Sequence, residues 1–565
     1  MKLRYLFILV VLASCVNRNG ENQGFHASKL SSLYISLSPN QLDSILNDRD
    51  NRVPAQALFI TAENDTLYDG SLTHIKTRGN TTFWYEKKPF NIKFPQKQQF
   101  LGLDKSRSFV LLANTLDDSY IRNAIAFDLA HAIGLPATKY TYLSLYINGE
   151  YKGLYQMTNK VEVSKHGLHI TDLDELNKQA NPHPLKEYGR FQEGNDCQII
   201  QRKGVLLQQN PEDITGGYLL DNSGQDFIYR RSISGFVSDA GDPIRIRSPQ
   251  YASPLEVDYI ATAYNDMEAA IHAADGIHPL TGKHYSEYID MEPFALYYLL
   301  NELLLNQDGG FVSFFMYKDS DSVDSKIYAG PIWDFDKSLS SRGSEPEVLL
   351  PNEIYVSEQV ADFSTEPYSG GLLFHLWQHK DFQGIVKNVY YKVVSPCCHE
   401  YLNKETIDSL VKALESEAIR DEQLYHVNTF TNYRIATRNA VDFLRKRLEF
   451  LDWYFSTSPA DVICVDYQSK TQMKPHERKI KIFYPVGKPI HVPSSLRPYT
   501  GNSQALVPAL YFAGTDSLVS DGAVFHSPKV LELRGREPTW GEVQIRRIRK
   551  GLKKWSFLVA DNIHS

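Results

Sequence analysis

The chain is 565 residues long, 42% hydrophobic and 22% charged, with a net charge of −7. A length of that order allows roughly three or four domains, and the composition is that of a globular protein with cores of its own, not of a disordered or fibrous one. The acidic balance lacks the basic footprint that a nucleic-acid partner requires, so none is expected, and the sequence shows no repeat of fixed period.

At the N-terminus, Lys2 and Arg4 precede an apolar run over residues 5–12, too short to span a bilayer as a stable helix. This is the pattern of a secretory signal. Leu12-Ala13-Ser14-Cys15 resembles a bacterial lipobox, which would make Cys15 the lipidated first residue of the mature chain. An ordinary cleaved signal peptide is the alternative, and export is expected either way. The lipid on Cys15 would attach the protein to a membrane of a bacterial cell envelope, at its periplasmic face or at the cell surface. Residues 1–15 are thus read as signal and 16–30, polar and rich in Asn and Gly, as a flexible tether. Beyond Cys15, the other cysteines are Cys197, Cys397, Cys398 and Cys464. They permit two disulfides, and their spacing resembles no zinc site.

Leu33, Ile35 and Leu37 alternate as in a strand, residues 39–46 suggest a helix, and further strands are predicted over 57–61 and 71–77. The polar turn Arg78-Gly79-Asn80-Thr81-Thr82 then leads to Phe90, Ile92 and Phe94 on one strand face. Counting back by twos gives Lys88 the same parity, so it is expected to point inward, with Lys87 and Lys93 turned to solvent. An inward lysine beside an apolar face needs an anion, and a nucleotide phosphate is one candidate. A hairpin turn with a structural Arg–acid pair accounts for the same residues.

Asp117, Asp118 and Ser119 are N-cap residues for a helix through Ile121, Ile125, Leu129 and Ile133 that ends at Gly134. Asn148-Gly149 between two apolar runs predicts a hairpin. Residues 164–214 read as a polar, variable insertion, and the next strand runs through Gly216-Gly217-Tyr218-Leu219-Leu220-Asp221. Helical spacing recurs over residues 253–274, 368–379, 382–393, 404–417 and 433–455. From Ser456 onward the runs are short and β-rich, at 462–467, 479–484, 505–512, 530–533, 543–548 and 555–559, which suggests a small sandwich. The basic cluster around Arg546, Arg547 and Arg549 reads as a solvated strand end or as a contact for an anionic surface.

Residues 291–339 look built for chemistry. Phe294, Leu296, Leu299, Leu300, Leu303 and Leu304 fit a mostly buried helix, which stops at Asn306-Gln307-Asp308-Gly309-Gly310. A strand-like run over 311–317 and a polar turn over 319–325 follow. The run Ile327-Tyr328-Ala329-Gly330-Pro331-Ile332-Trp333 then enters Asp334-Phe335-Asp336. Two carboxylates spaced i, i+2 are expected on one face of an extended segment. Burying them among aromatics is costly unless a divalent metal or arginines neutralise them.

The order of helix, Asn-x-Asp turn, strand pair and Gly-Pro-Ile-Trp-Asp-Phe-Asp resembles the CotH (spore-coat protein H) kinase family, with Asp118-Ser119 and Arg122-Asn123 matching a further family signature. The resemblance implies an α+β fold: an atypical protein-kinase-like bilobal domain over 31–457, with a small lobe at about 31–165 and a large lobe at about 215–457. A small C-terminal all-β domain over 458–565 would follow. Carried over, Asp308 is the catalytic base that orients or deprotonates the acceptor hydroxyl, and Asp334 holds Mg²⁺ (or Mn²⁺) on the nucleotide phosphates, with Asp336 a second ligand. Ser313 stands where kinases place a metal-binding Asn, and its hydroxyl, a weaker ligand than an amide carbonyl, is the third metal-ligand candidate. Lys88, Arg78, Gly79 and Asn80 would lie over the phosphates of ATP. Asn159 occupies the hinge position where the family commonly has Glu, and Asp221 stands for another usual Glu.

The leading expectation is an exported, metal-dependent kinase transferring phosphate from ATP to hydroxyl groups of an envelope or secreted protein. The alternative is a catalytically weak pseudokinase acting as a surface binding or scaffold protein, with Ser313 and Asn159 in its favour. A carboxylate-pair glycan hydrolase is a third reading, and it needs Asp308 and Asp334 to face each other across an open sugar-sized cleft.

Overall fold

The computed structural model describes residues 30–165, 167–194, 200–222, 229–310, 312–340, 350–358, 371–425, 432–470, 477–491 and 507–536. Cys15, Cys197, the runs at 543–548 and 555–559 and the cluster around Arg546 lie outside the described residues. Cys397 and Cys398 are free thiols. The chain forms two compact units, one of Met1–Pro346 with Gly371–Asp452, the other of Glu347–Gly370 with Trp453–Ser565. Helices and sheets are mixed in an α+β arrangement, as expected, and among the described residues no helix is long and apolar enough to cross a membrane.

The first unit begins with a closed barrel of seven strands: β1 (Ser31–Ser36), β2 (Val53–Ile60), β3 (Thr66–Thr77), β4 (Phe90–Gln98), β5 (Ser106–Leu112), β6 (Tyr140–Ile147) and β7 (Glu150–Asn159). Their order is β1-β2-β3-β4-β5-β7-β6, and the barrel closes where β1 pairs in parallel with β6, Leu33 opposite Leu145. Closure leaves no exposed strand edge. Every second side chain points inward, and Leu33, Ile35, Phe59, Ile75, Phe94 and Leu145 fill the interior with the other core aromatics. Helix α1 (Pro39–Asn47) starts at Ser38 in a reciprocal capping box with Gln41. Asn148 (φ 52°) and Gly149 (φ 83°) make the tight β6–β7 turn. Helix α2 (Arg122–Ile133) ends at Gly134 with φ 89°. Its N-cap position is Ile121, without a side-chain cap. Asp117 serves instead, accepting from the backbone N–H groups of Ser119 (2.9 Å) and Arg122 (2.9 Å).

Residues 164–214 are more than an insertion. They fold as α3 (Leu173–Ala180), β8 (Arg190–Glu193) and β9 (Arg202–Val205). The two strands join β10 (Tyr218–Asn222), β11 (Ser234–Val237), β12 (Pro243–Ser248), β13 (Phe314–Lys318) and β14 (Ile327–Ala329) in a second sheet of order β14-β13-β10-β12-β11-β9-β8. Asp221 on β10 is buried there and paired with Arg245. Helices α4 (Pro254–His272), α5 (Met291–Leu304), α6 (Leu372–Trp377), α7 (Lys380–Val389), α8 (Ser395–Asn403), α9 (Thr406–Tyr425) and α10 (Tyr433–Ser456) complete the element order before the last sheet. A π-helical turn, Tyr390–Val394, joins α7 to α8. Helix α5 is buried from Phe294 to Leu304 without a break, as a helix apolar all round must be. The carboxylate of its buried Glu302 pairs with the equally buried Arg447 at 3.1 Å.

The second unit contains a six-stranded sheet, β15-β17-β16-β22-β19-β20, and a two-stranded one, β18-β21. The strands are β15 (Glu353–Ile354), β16 (Val462–Lys470), β17 (Glu477–Pro485), β18 (Pro489–Ile490), β19 (Val507–Phe512), β20 (Leu518–Val519), β21 (Ala523–Val524) and β22 (Val530–Arg536). Ile463, Val465, Ile482, Leu531 and Leu533 form its core.

Candidate active site

Helix α5 leads to the first candidate side chain, Asp308. It ends at Leu305, which adopts φ 49°, and its backbone N–H bonds to Glu302 O (3.2 Å). A non-glycine residue thus makes the left-handed stop that the sequence assigned to Gly309-Gly310. Gly309 is needed for space, since a Cβ there would stand 2.7 Å from Asn301 Oδ1. Asn301 also accepts from Asn306 Nδ2 (3.0 Å), and Asn306 Oδ1 accepts from Asp308 N (3.3 Å). This chain of amides fixes the turn that presents Asp308. Backbone bonds from Gln307 N to Lys337 O (3.5 Å) and from Leu339 N to Leu304 O (2.7 Å) tie that turn to the Asp-Phe-Asp segment.

That segment is not an extended strand. Strand β14 stops at Ala329, and Asp334 adopts φ 70°, so the expectation of two carboxylates on one strand face is corrected. The bend has local causes. Phe335 is fully buried, its N–H donates to Asn123 Oδ1 (2.8 Å), and Ser338 N returns to Phe335 O (3.1 Å). Ser313 (φ 57°) donates its hydroxyl to Asp334 Oδ2 at 3.1 Å. Lys337 pairs with Asp308 Oδ1 at 3.3 Å.

These groups load the site with negative charge. Burial first, then the nearby Asp308 carboxylate, raise the pKa of Asp334, against Arg78, Ser313 and Lys337. Asp336 is pushed well up by burial, Asp334 and Asp308. Burial alone would lower Lys337, but Asp308 and Asp336 outweigh it and raise its pKa. Arg78, immediately after β3, stacks its guanidinium over Trp333 at 5.4 Å. Burial lowers its pKa, opposed by Asp334 and Asp336. Arg78, Asn114, Asn123, Trp333, Asp334 and Asp336 line one cleft of about 40 Å³.

The remaining predicted residues stand elsewhere. Lys88 is partly exposed, and its Nζ donates to Phe83 O (2.7 Å) and Tyr85 O (3.2 Å) of its own turn. Lys87 is the buried lysine, in an ion pair with Asp421 at 2.8 Å. The inward and outward assignments of the two lysines are therefore reversed, because β4 begins only at Phe90 and the period of two does not extend back through Pro89. Gly79 adopts φ 92°, and Arg49 Nη1 holds the turn through Gly79 O and Asn80 Oδ1 (3.3 Å). Asn159 braces residue 104, accepting from Asp104 N (2.9 Å) and donating to Asp104 O (2.8 Å).

The family model for CotH kinase protein matches residues 75–451, about two thirds of the chain. The chain belongs to the CotH kinase family. No curated protein matches it. The matched span starts inside β3 and covers every site residue named above except Arg49.

Sequence reasoning missed Asn114, Lys337 and Arg49, and noted Asn123 only as part of a signature. Lys337 directly follows Asp-Phe-Asp, and a lysine adjoining crowded carboxylates was a usable signal. Among the described residues no three His, Cys, Asp or Glu side chains form a metal-holding group. Asp334 and Asp336 are hard oxygen donors whose charge the neighbouring cations leave incompletely offset, so both fit a hard divalent cation as two of its ligands.

Proposed function

We propose that this CotH-family protein is an exported, lipid-anchored kinase that moves the terminal phosphoryl group of ATP onto a hydroxyl of an envelope or secreted protein. The observation that carries the reading is the gathering of Asp334, Asp336 and Arg78 at one cleft, with the Asp308–Lys337 pair close enough to shift both aspartates. Asp334 and Asp336 would hold Mg²⁺ or Mn²⁺, which neutralises charge on the phosphate oxygens. Asp308 takes the proton of the acceptor hydroxyl as its oxygen bonds to phosphorus, and ADP leaves with the electrons of the broken P–O bond. Lys337 positions Asp308, Ser313 orients Asp334, and Arg78 donates to phosphate oxygens. Export and the lipid on Cys15 rest on the N-terminal sequence pattern.

A pseudokinase acting as a surface binding protein has two observations in its favour. Lys88 is engaged by its own turn, and the Asn159 amide is engaged by residue 104. Melting temperature of the mature protein with Mg²⁺ or Mn²⁺, with and without ATP, separates the readings. A ligand at a hundred times its dissociation constant stabilises by about 2.7 kcal/mol, roughly 3 °C for a unit of this size. A metal-dependent shift that Asp334→Asn abolishes, with phosphate transfer lost in Asp308→Asn while the shift persists, supports the kinase. No shift with any nucleoside triphosphate rejects it.

A further inference from the structure

Asn114 follows β5 and carries a side chain that nothing in the fold accounts for. It is 8% exposed, and neither its Oδ1 nor its Nδ2 has a hydrogen-bond partner. A buried amide with both ends unmade is costly, and native structures keep few of them. Its backbone is also committed, with φ 52°, a left-handed conformation that non-glycine residues seldom adopt. Its backbone carbonyl accepts from Asp117 N (3.0 Å), so the loop conformation is satisfied without the side chain. Asn114 lies on the wall of the cleft that Asp334, Asp336 and Arg78 line from other elements, and it also lines a second cleft with Asp117, Asp118 and Asp421.

The cleft's volume, about 40 Å³, has room for roughly three water-sized spheres. That suits an ion that keeps some of its waters, which is how Mg²⁺ and Mn²⁺ bind. Two aspartates supply two hard oxygens. The third residue expected from the sequence, Ser313, has its hydroxyl on Asp334 Oδ2. An amide carbonyl is a stronger ligand for such a cation than a hydroxyl, and the amide NH₂ beside it matches a phosphate oxygen.

We propose that Asn114 completes the divalent-cation site from the barrel side of the cleft, its carbonyl oxygen joining Asp334 and Asp336, while Ser313 serves only to orient Asp334. The inference rests on the kinase reading, and its test is arranged to fail separately. Mn²⁺ binding to the full chain is followed by electron paramagnetic resonance, first with Mn²⁺ alone and then with ATP present. Asn114→Gly deletes the amide and keeps the left-handed backbone free, so folding is not at stake. It is expected to weaken Mn²⁺ binding at least tenfold. Asn114→Asp restores an oxygen ligand and is expected to restore binding, whereas Ser313→Ala changes it by less than threefold. Wild-type Mn²⁺ affinity in Asn114→Gly, with wild-type protein still binding Mn²⁺ and ATP, overturns the role of Asn114 and leaves the kinase reading standing. Absence of Mn²⁺ and ATP binding in the wild type overturns both.

Discussion

Removing the charge of Lys87 tests a buried ion pair that the sequence had assigned to solvent. Its Nζ lies 2.8 Å from Asp421 Oδ2 and also donates to Leu154 O at 2.7 Å, with the two side chains 4% and 2% exposed. Asp421 Oδ1 accepts from Leu154 N (2.9 Å), its Oδ2 accepts from the Tyr120 hydroxyl, and the rings of Tyr120, Tyr155 and Tyr425 surround the ammonium at 5.1, 4.9 and 5.8 Å. Lys87→Met leaves a buried carboxylate without its counter-charge, which costs about 3–5 kcal/mol. At about 2.1 cal/mol/K per residue over a unit of roughly 400 residues, that lowers the melting temperature by roughly 4–6 °C. Asp421→Asn strands the lysine and costs a similar amount. The double variant removes both charges and should recover at least half of the summed loss, the remainder being the weakened bonds to Leu154 and Tyr120. Raising the salt concentration should change none of these differences, because a pair this deeply buried is poorly screened. The assay is thermal melting of the four proteins at two ionic strengths. A single variant that melts within about 1 °C of wild type, or a double variant that shows the plain sum of the two losses, refutes the reasoning.

Gly153 supports the same pair from outside. It adopts φ 107°, and a Cβ would fall 1.9 Å from Asp421 Oδ1, so Gly153→Ala should lower the melting temperature as far as Lys87→Met and add little to it in combination. Stability should also depend on pH through Glu256, whose carboxyl burial pushes from 4.5 to about 7. Because the folded state holds that proton more tightly than the unfolded one, this contribution is complete below pH 4.5 and lost as pH rises through about 7. Glu256→Gln removes the dependence, so the variant should gain on wild type by about 3 kcal/mol between pH 4 and pH 8, read as converging and then crossing melting curves; a difference that is constant with pH contradicts the assignment. Asn159→Ala removes both amide bonds to residue 104. It should cost about 1–3 kcal/mol in chemical denaturation, and an unaltered midpoint would show that the brace is dispensable.

The parts of this protein that could be read from sequence are those whose causes are local. Asn148-Gly149 set the β6–β7 turn through their own dihedral preferences, Gly134 ended α2, and the unbroken burial of α5 followed from an apolar surface on all sides. Asp308, Asp334 and Asp336 stood out as candidates because each lies in a short motif, although their geometry was not legible, since the left-handed Asp334 is held by Asn123, 211 residues away in the chain from Asp334 and bonded to its neighbour Phe335. Barrel closure depended on β1 meeting β6 in parallel across more than a hundred residues, which no window of the sequence contains. The lysines failed for a different reason: a strand period was extended across Pro89, where there was no strand. Asn114 was beyond reach altogether, because its signal is a missing partner, and a missing partner exists only once the surroundings are folded. A motif can name candidate carboxylates, whereas a candidate such as Asn114 comes to light only among the polar groups the fold has buried and left unpaired.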